Sequence, residues 1–152
     1  MNEINGISGS KTDSIRLLRE TNAGIQMGVT TIDEIIKSIG DEGLRTVMSR
    51  AKAEHEKLGG EAHRLLHFYG SDTKEPHPVA KFMSSVKTNV KLAAEPDDKT
   101  AAELITDGCN MGIKNLNKYL NEYGKASPLV SALTRRVIRS EEKLCDDVKQ
   151  YL

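Results

Sequence analysis

Apolar residues recur in the first half of the chain at alternating spacings of three and four residues, the pattern of one face of an α-helix. The first such stripe consists of Ile15, Leu18, Asn22, Ile25, Val29, Ile32, Ile36 and Ile39. The second consists of Leu44, Met48, Ala51, His55, Leu58, Ala62, Leu65 and Tyr69. These stripes predict helices over 13–39 and 42–69, with Thr12 or Asp13 capping the first and Asp41 capping the second. The short link around Gly40 predicts an antiparallel hairpin.

The second half of the chain repeats this organisation. Its first stripe consists of Ala102, Ile105, Cys109, Gly112, Leu116, Tyr119 and Tyr123. Its second consists of Val130, Leu133, Val137, Glu141, Leu144, Val148 and Tyr151. We predict helices over 98–123 and 128–151. The first is capped by Asp98 or by a Thr100/Glu103 capping box, and the second has Ser127 as N-cap and Pro128 as its first residue.

Between the two hairpins, Pro78 introduces a shorter apolar pattern that predicts a helix over 79–94. At about 1.5 Å per residue, such a helix is long enough to return along most of the bundle. We therefore predict an all-α fold with a flexible lead over 1–12 and a single domain over 13–152. The domain is a ferritin-like four-helix bundle, made of two antiparallel hairpins joined by a short crossover helix.

Composition narrows the function classes. Lys and Arg number 22, Asp and Glu number 22, and aromatic residues make up 4% of the chain, so we expect no nucleic-acid partner. No apolar run approaches the roughly 20 residues that span a bilayer, so we expect no membrane segment. Residues 1–10 have no apolar segment typical of a secretion signal, and two cysteines are too few for a disulfide framework. We expect a cytoplasmic protein.

Each half of the chain carries a Gly-x-x-x-Gly pair within its first helix, Gly24 with Gly28 and Gly108 with Gly112. Glycine inside a helix costs about 1 kcal/mol relative to alanine, so four of them suggest close approach of helix backbones.

These glycines also contribute to a family resemblance over residues 15–123. With Gly24, the Gly59–Gly60 region, Asp97–Asp98 and Gly112, the chain resembles an uncharacterised bacterial family of ferritin-like four-helix-bundle proteins, a domain of unknown function. Relatives with a metal centre place a glutamate on the first and third long helices, in many of them directly after the helical glycine. Here these positions are Ile25 and Ile113, so the resemblance implies a bundle that lacks two metal-ligating carboxylates.

One polar residue interrupts each of the four long stripes: Asn22, His55, Cys109 and Glu141. If they share one layer of the bundle, their His, Cys and Glu side chains have the chemistry of a zinc site. The alternative is a histidine and a glutamate hydrogen-bonded to each other or to water, with Asn22 setting the alignment of the helices.

His63 and His67 form a second candidate metal site, because residues four apart lie on one helix face. Their face lies off the apolar stripe, which favours solvent exposure. The last helix carries a basic run, which consists of Arg135, Arg136, Arg139 and Lys143. This run indicates either a solvent-exposed helix face or a small binding patch for an anionic partner. We expect Cys109 to be buried, Cys145 to lie at the core edge, and the two not to form a disulfide.

No nucleophile elbow or phosphate-binding glycine loop is present, and we predict no catalytic or cofactor-binding residues. The leading hypothesis is a non-enzymatic, metal-free bundle that acts through protein association, for example as a homodimer. A second is a degenerate metal-binding protein or oxidoreductase that uses His55 and Glu141. A third is a small-molecule carrier whose ligand lies against Gly24, Gly112 and Ala62.

Overall fold

The computed structural model describes residues 9–71 and 97–152. These residues form four long helices: α1 (Lys11–Ile35), α2 (Glu42–Phe68), α3 (Asp98–Glu122) and α4 (Pro128–Val148). Short 3₁₀ turns follow α1 at Ile36–Ser38 and α4 at Lys149–Tyr151. The described residues contain no strand, which confirms the all-α prediction. The predicted helix over 79–94 and most of the predicted lead lie outside the described residues.

The helix ends show where capping was predicted correctly and where it was not. Asp41 caps α2, accepting from the Leu44 amide at 2.8 Å, and Ser127 caps α4. The predicted caps of α1 were wrong, because Ser10 accepts from the Asp13 amide at 3.1 Å and the helix already begins at Lys11. The last residues of the predicted first and fourth helices lie beyond the α-helical segments, because both helices end in 3₁₀ turns.

The cap of α3 is also a correction, since Asp97 occupies the N-cap position instead of Asp98. Asp97 accepts from the Thr100 amide at 2.9 Å. The Asp98 carboxylate instead reaches the turn between α1 and α2, where it accepts from the Gly40 amide at 2.8 Å and from the Asp41 amide at 3.2 Å. Asp98 therefore joins the two hairpins.

Contacts between helix ends define the direction of each helix. At one end of the bundle, Asp98 at the start of α3 contacts Gly40, just after α1. At the other end, the Ser10 amide donates to the Lys125 carbonyl at 2.7 Å, and the Tyr69 hydroxyl lies 3.1 Å from the Ser127 hydroxyl. Helices α2 and α3 therefore run antiparallel to α1, and α4 runs parallel to it. Ser71 and Asp97 therefore lie at opposite ends of the bundle.

Buried apolar side chains form two separate clusters, one towards each end of the bundle. One contains Ile32, Ile35, Ile39, Leu44, Met48, Ala101, Ala102, Ile105, Cys109, Leu144 and Val148. The other contains Leu17, Leu18, Ile25, Leu58, Ala62, Leu66, Leu116, Val130, Leu133, Val137 and Ile138. All four helices contribute to both clusters, so each hairpin completes the core of the other.

The buried face of α1 is wider than its predicted stripe. Ile15, Val29 and Ile36 are only half-buried, whereas Leu17 and Ile35 are buried. The reason is that α1 contacts α2, α3 and α4, while a stripe with strict three-four spacing faces a single seam. The contact with α4 includes a buried hydrogen bond of 2.8 Å between the hydroxyls of Thr21 and Thr134, two residues that the apolar pattern did not identify.

Candidate functional site

A buried histidine–glutamate pair lies between the two apolar clusters and links α2 to α4. His55 Nε2 is 2.7 Å from Glu141 Oε1, and His55 Nδ1 is 2.8 Å from the carbonyl oxygen of Ala51, one turn earlier in α2. His55 is fully buried and Glu141 is 7% exposed. Both residues occupy inward positions of their helix stripes, so folding of the amphipathic helices itself brings the polar groups together.

Both of the other helices bring a glycine against this pair, and the glycine of α1 makes room for it. A Cβ atom at Gly28 of α1 would lie 2.7 Å from His55 Cδ2 and 2.9 Å from Nε2. A Cβ atom at Gly112 of α3 would lie 3.7 Å from Glu141 Cδ. The nearest atoms to both positions are side-chain atoms of the pair. Gly28 therefore accommodates the pair, whereas a Cβ atom at Gly112 would only be in ordinary contact with it, and the close approach of helix backbones stays a prediction.

Hydrogen bonding defines where the protons of the pair lie. The Ala51 carbonyl oxygen only accepts, so His55 Nδ1 carries a proton and donates it there. His55 Nε2 and Glu141 Oε1 then share one further proton, either as imidazolium and carboxylate or as neutral imidazole and carboxylic acid. Both arrangements leave the pair with no net charge, which lowers the cost of burying it.

The environment of His55 favours the imidazolium form. Burial lowers the pKa of His55, but the hydrogen bond and the negative charge of Glu141, together with the bond to Ala51, raise it, and the net shift is upward. The raised pKa of His55 favours the arrangement in which its imidazolium is hydrogen-bonded to the side chain of Glu141.

This shift predicts that wild-type stability decreases as the pH rises above about 6.5, the ordinary pKa of histidine. Between that value and the raised pKa of folded His55, the folded state holds a proton that the unfolded state has lost. The free energy of unfolding should fall across this window by up to about 1.4 kcal/mol per pH unit, measured by chemical denaturation at a series of pH values.

Glu141→Gln is the control for the pH prediction. A glutamine amide donates to neutral His55 Nε2 and offers no charge to an imidazolium, so burial then lowers the pKa of His55. Stability of this variant should decrease as the pH falls through 6.5, the opposite slope to the wild type. Parallel curves for the two proteins would contradict the assignment of the shared proton.

Two thiols lie close to the pair. Cys109 is buried, as predicted, and burial followed by the negative charge of Glu141 raises the pKa of its thiol. Cys145 is half-buried, and its Sγ donates to Asn110 Oδ1 at 3.6 Å, one residue beyond Cys109 in α3. Both cysteines are free. Because zinc binds the thiolate, a raised thiol pKa opposes metal binding by Cys109.

A cavity of about 280 Å³ opens between α1 and α3 and reaches inward to the pair. Its lining consists of Glu20, Ala23, Gly24, Met27, Gly28, Thr31, Ile32, His55, Ile105, Gly108, Cys109, Met111, Gly112, Asn115, Leu116, Tyr119, Glu141 and Leu144. The two Gly-x-x-x-Gly pairs supply the space. A Cβ atom at Gly108 would have no neighbour within 4 Å, and one at Gly24 would meet only Leu116 Cδ2 at 3.8 Å.

Three of the four predicted layer residues come together, namely His55, Cys109 and Glu141. Asn22 does not join them, because Gly28 is the residue of α1 that lies against His55. Asn22 is six residues earlier in α1, which corresponds to about 9 Å along the helix. Asn22 is nonetheless buried, and its Oδ1 has no hydrogen-bond partner among the described residues.

The other predicted positions lie apart from this site. His63 and His67 are exposed on α2, as their position off the stripe indicated. Ile25 is fully buried in an apolar cluster, and Ile113 packs at the edge of the same cluster. In the part of the chain that the structure describes, no group of three His, Cys, Asp or Glu side chains is arranged to hold a metal ion.

Sequence reasoning missed most of the polar residues at the cavity wall, including Glu20, Thr31 and Asn115. Thr31 and Asn115 lie at positions off the predicted stripes, and no spacing rule identifies them. The Gly-x-x-x-Gly pairs were the sequence feature that could have indicated the cavity. Glycines that face each other on two neighbouring helices leave space between the helices unless a side chain from another helix fills it.

Comparisons with protein-family models, with curated proteins and with solved structures give no match for this chain. The resemblance to a ferritin-like family therefore stays a prediction. None of the helices described here is long and apolar enough to cross a membrane.

Proposed function

We propose that this protein binds a small, largely apolar molecule in the cavity between α1 and α3, which develops the third hypothesis from the sequence, a small-molecule carrier. The observation that supports the proposal is the cavity's composition. Apolar and glycine positions provide most of its lining, and the His55–Glu141 pair provides a buried polar group at its base. Ligand sites in proteins combine these two features, an apolar concave surface and a few convergent polar groups.

The charges around the cavity favour a neutral or cationic ligand. Glu20 and Glu141 contribute carboxylates, His55 contributes the balancing imidazole, and the described lining has no lysine or arginine. The His55 imidazolium is already paired with Glu141, so an anion entering the cavity would leave water without gaining an unpaired cationic partner among the described lining residues, which is costly. A hydroxyl or ammonium group on an apolar body would instead find acceptors at Glu141 or Asn115. The volume of about 280 Å³ suits a molecule with one ring or a short chain.

Of the ligand contacts that the carrier hypothesis named, Gly24 and Gly112 line the cavity, but Ala62 does not. Ala62 is fully buried in an apolar cluster. Ala62 is therefore not a contact of the proposed ligand.

We also propose that the bundle is ferritin-like in arrangement. The directions of the four helices and the long connection between the second and third support this proposal. Action through protein association and use of His55 and Glu141 in a metal centre both stay predictions. Elemental analysis of the purified protein and light scattering are the measurements that address them.

The test compares three probes with one apolar body: phenethylamine, 2-phenylethanol and phenylacetate. Binding is followed by saturation-transfer NMR and by chemical-shift changes of the cavity residues. The amine and the alcohol should bind, and phenylacetate should bind at least about tenfold more weakly, because it buries an unpaired charge. Equal binding of all three, or preferred binding of phenylacetate, would contradict the proposal.

Gly108→Leu is the blocking variant, and Gly60→Leu is its matched control. Both replace a helical glycine with a good helix former, so both should stabilise the fold or leave it unchanged. Only the leucine at 108 has open space in the cavity to fill. Probe binding should be lost in Gly108→Leu and retained in Gly60→Leu. Retained binding in both variants would place the probe site elsewhere.

A further inference from the structure

Whereas the first cavity lies between α1 and α3, a second opening lies between α2 and α4. It is a groove of about 600 Å³ with four basic side chains on its walls. Arg50 comes from α2, and Arg136, Arg139 and Lys143 come from α4 at spacings of three and four residues. That spacing places the three α4 side chains on one helix face, pointing along the same groove.

The groove carries a local surplus of positive charge in a chain that is neutral as a whole. Its lining sets four cations against the two carboxylates of Glu54 and Asp147. Lys143 pairs with Asp147 at 2.7 Å, and Arg136 pairs with Glu61 at 2.9 Å.

Two guanidinium groups in the groove are not used by the fold. Arg50 and Arg139 form no ion pair with the described residues, and they lie on opposite helices. Both side chains are exposed, so they are free to close on a ligand. Arg50 and Arg139 line one groove from two different helices, and guanidinium groups bind phosphate through planar, bidentate contacts.

The floor of the groove is mostly apolar, whereas its walls carry the basic side chains. Val47, Ala51 and Leu144 are apolar, and Ser140 adds a hydroxyl group. A ligand that fills the groove therefore needs an apolar part for the floor as well as an anionic group for the arginines.

We propose that this groove binds a small organic phosphate monoester, with the phosphate between Arg50 and Arg139 and the organic part on the apolar floor. The pattern favours a small dianion over a nucleic acid, because phosphate-backbone binding needs many cations spread along a track. Here the cations converge in one groove. The proposal thus gives the basic run on α4 a specific class of anionic ligand. The opposite wall of the groove is provided by Arg50 of α2, which the sequence analysis did not include in that run.

The test uses phenyl phosphate as the probe, titrated by calorimetry or NMR in about 0.15 M salt, where long-range attraction is screened. Arg50→Ala and Arg139→Ala should each weaken binding about tenfold, the loss expected for one charge-assisted contact. Arg135→Ala is the matched control, because Arg135 is exposed on the same helix but does not line the groove. Its affinity for the probe should equal that of the wild type.

Several outcomes would overturn the proposal. One is equal weakening by Arg135→Ala, since general charge would then explain the binding. Another is equal affinity for phenol, which lacks the phosphate. Tighter binding of a single-stranded oligonucleotide than of phenyl phosphate would indicate a polyanion surface, and absence of binding at millimolar probe would exclude the site. Gly108→Leu should leave phenyl phosphate binding unchanged, so this result is independent of the first cavity.

Discussion

Glu141→Ala is expected to lower the free energy of unfolding by about 3–5 kcal/mol, the cost of leaving one member of a buried ion pair alone. His55 is fully buried, and its Nε2 has Glu141 Oε1 as its partner at 2.7 Å. Removing the carboxylate leaves an imidazolium without its counter-charge, or forces His55 to lose a proton, and it also removes packed atoms from the interior. Urea denaturation followed by circular dichroism measures the effect.

Two variants separate the loss of the pair from a general effect on α4. Glu142→Ala changes the exposed neighbour of Glu141 and should alter stability by no more than about 0.5 kcal/mol. Glu141→Gln keeps the side-chain volume and a hydrogen bond to neutral His55, so near neutral pH it should cost much less than the alanine. If Glu141→Ala and Glu142→Ala had equal effects, the pair would not be a buried structural element.

Gly28→Ala is expected to destabilise the fold by about 1–3 kcal/mol, the usual cost of overpacking a core. The added methyl group would lie 2.7 Å from His55 Cδ2. The imidazole has no free direction to move, because Ala51 holds one ring nitrogen and Glu141 holds the other. The clash should therefore disturb the pair itself, and the slope of stability with pH above 6.5 should decrease in this variant.

Gly108→Ala gives the matched comparison, since it makes the same chemical change in another helix. Its methyl group meets no atom within 4 Å, so only the gain in helix propensity remains, about 1 kcal/mol. The two glycine substitutions should thus have opposite signs in the same denaturation experiment. Two substitutions of the same sign would show that helix propensity alone, and not the room around His55, determines the effect at Gly28.

The apolar periodicity was sufficient to predict four long helices, because each stripe is long and is bounded by strong end signals such as Asp41 and Ser127–Pro128. Caps were less certain where two capping residues are adjacent. At Asp97–Asp98, local sequence does not determine which carboxylate caps α3, because Asp98 is used by the turn after α1. That contact joins residues 58 positions apart, beyond the reach of local propensity.

The apolar periodicity also made part of the candidate site predictable. His55, Cys109 and Glu141 each interrupt an apolar stripe, so their inward positions follow from periodicity. The error with Asn22 arose from the axial offset between helices, which spacing along one helix does not determine. The opening of the two glycine pairs onto one cavity was also beyond prediction, because it depends on which side chains of α2 and α4 reach the level of Gly28 and Gly108.

The position of the polar pair between two apolar clusters has a consequence for how the hairpins align. Apolar stripes alone tolerate a slide of one helix along another by a turn, about 5.4 Å, because leucine and valine on either side remain in apolar surroundings. A slide of α2 against α4 would bury His55 and Glu141 separately, each among aliphatic side chains. The pair thus selects a single register of the two hairpins, in the way that a buried asparagine selects the register of a coiled coil.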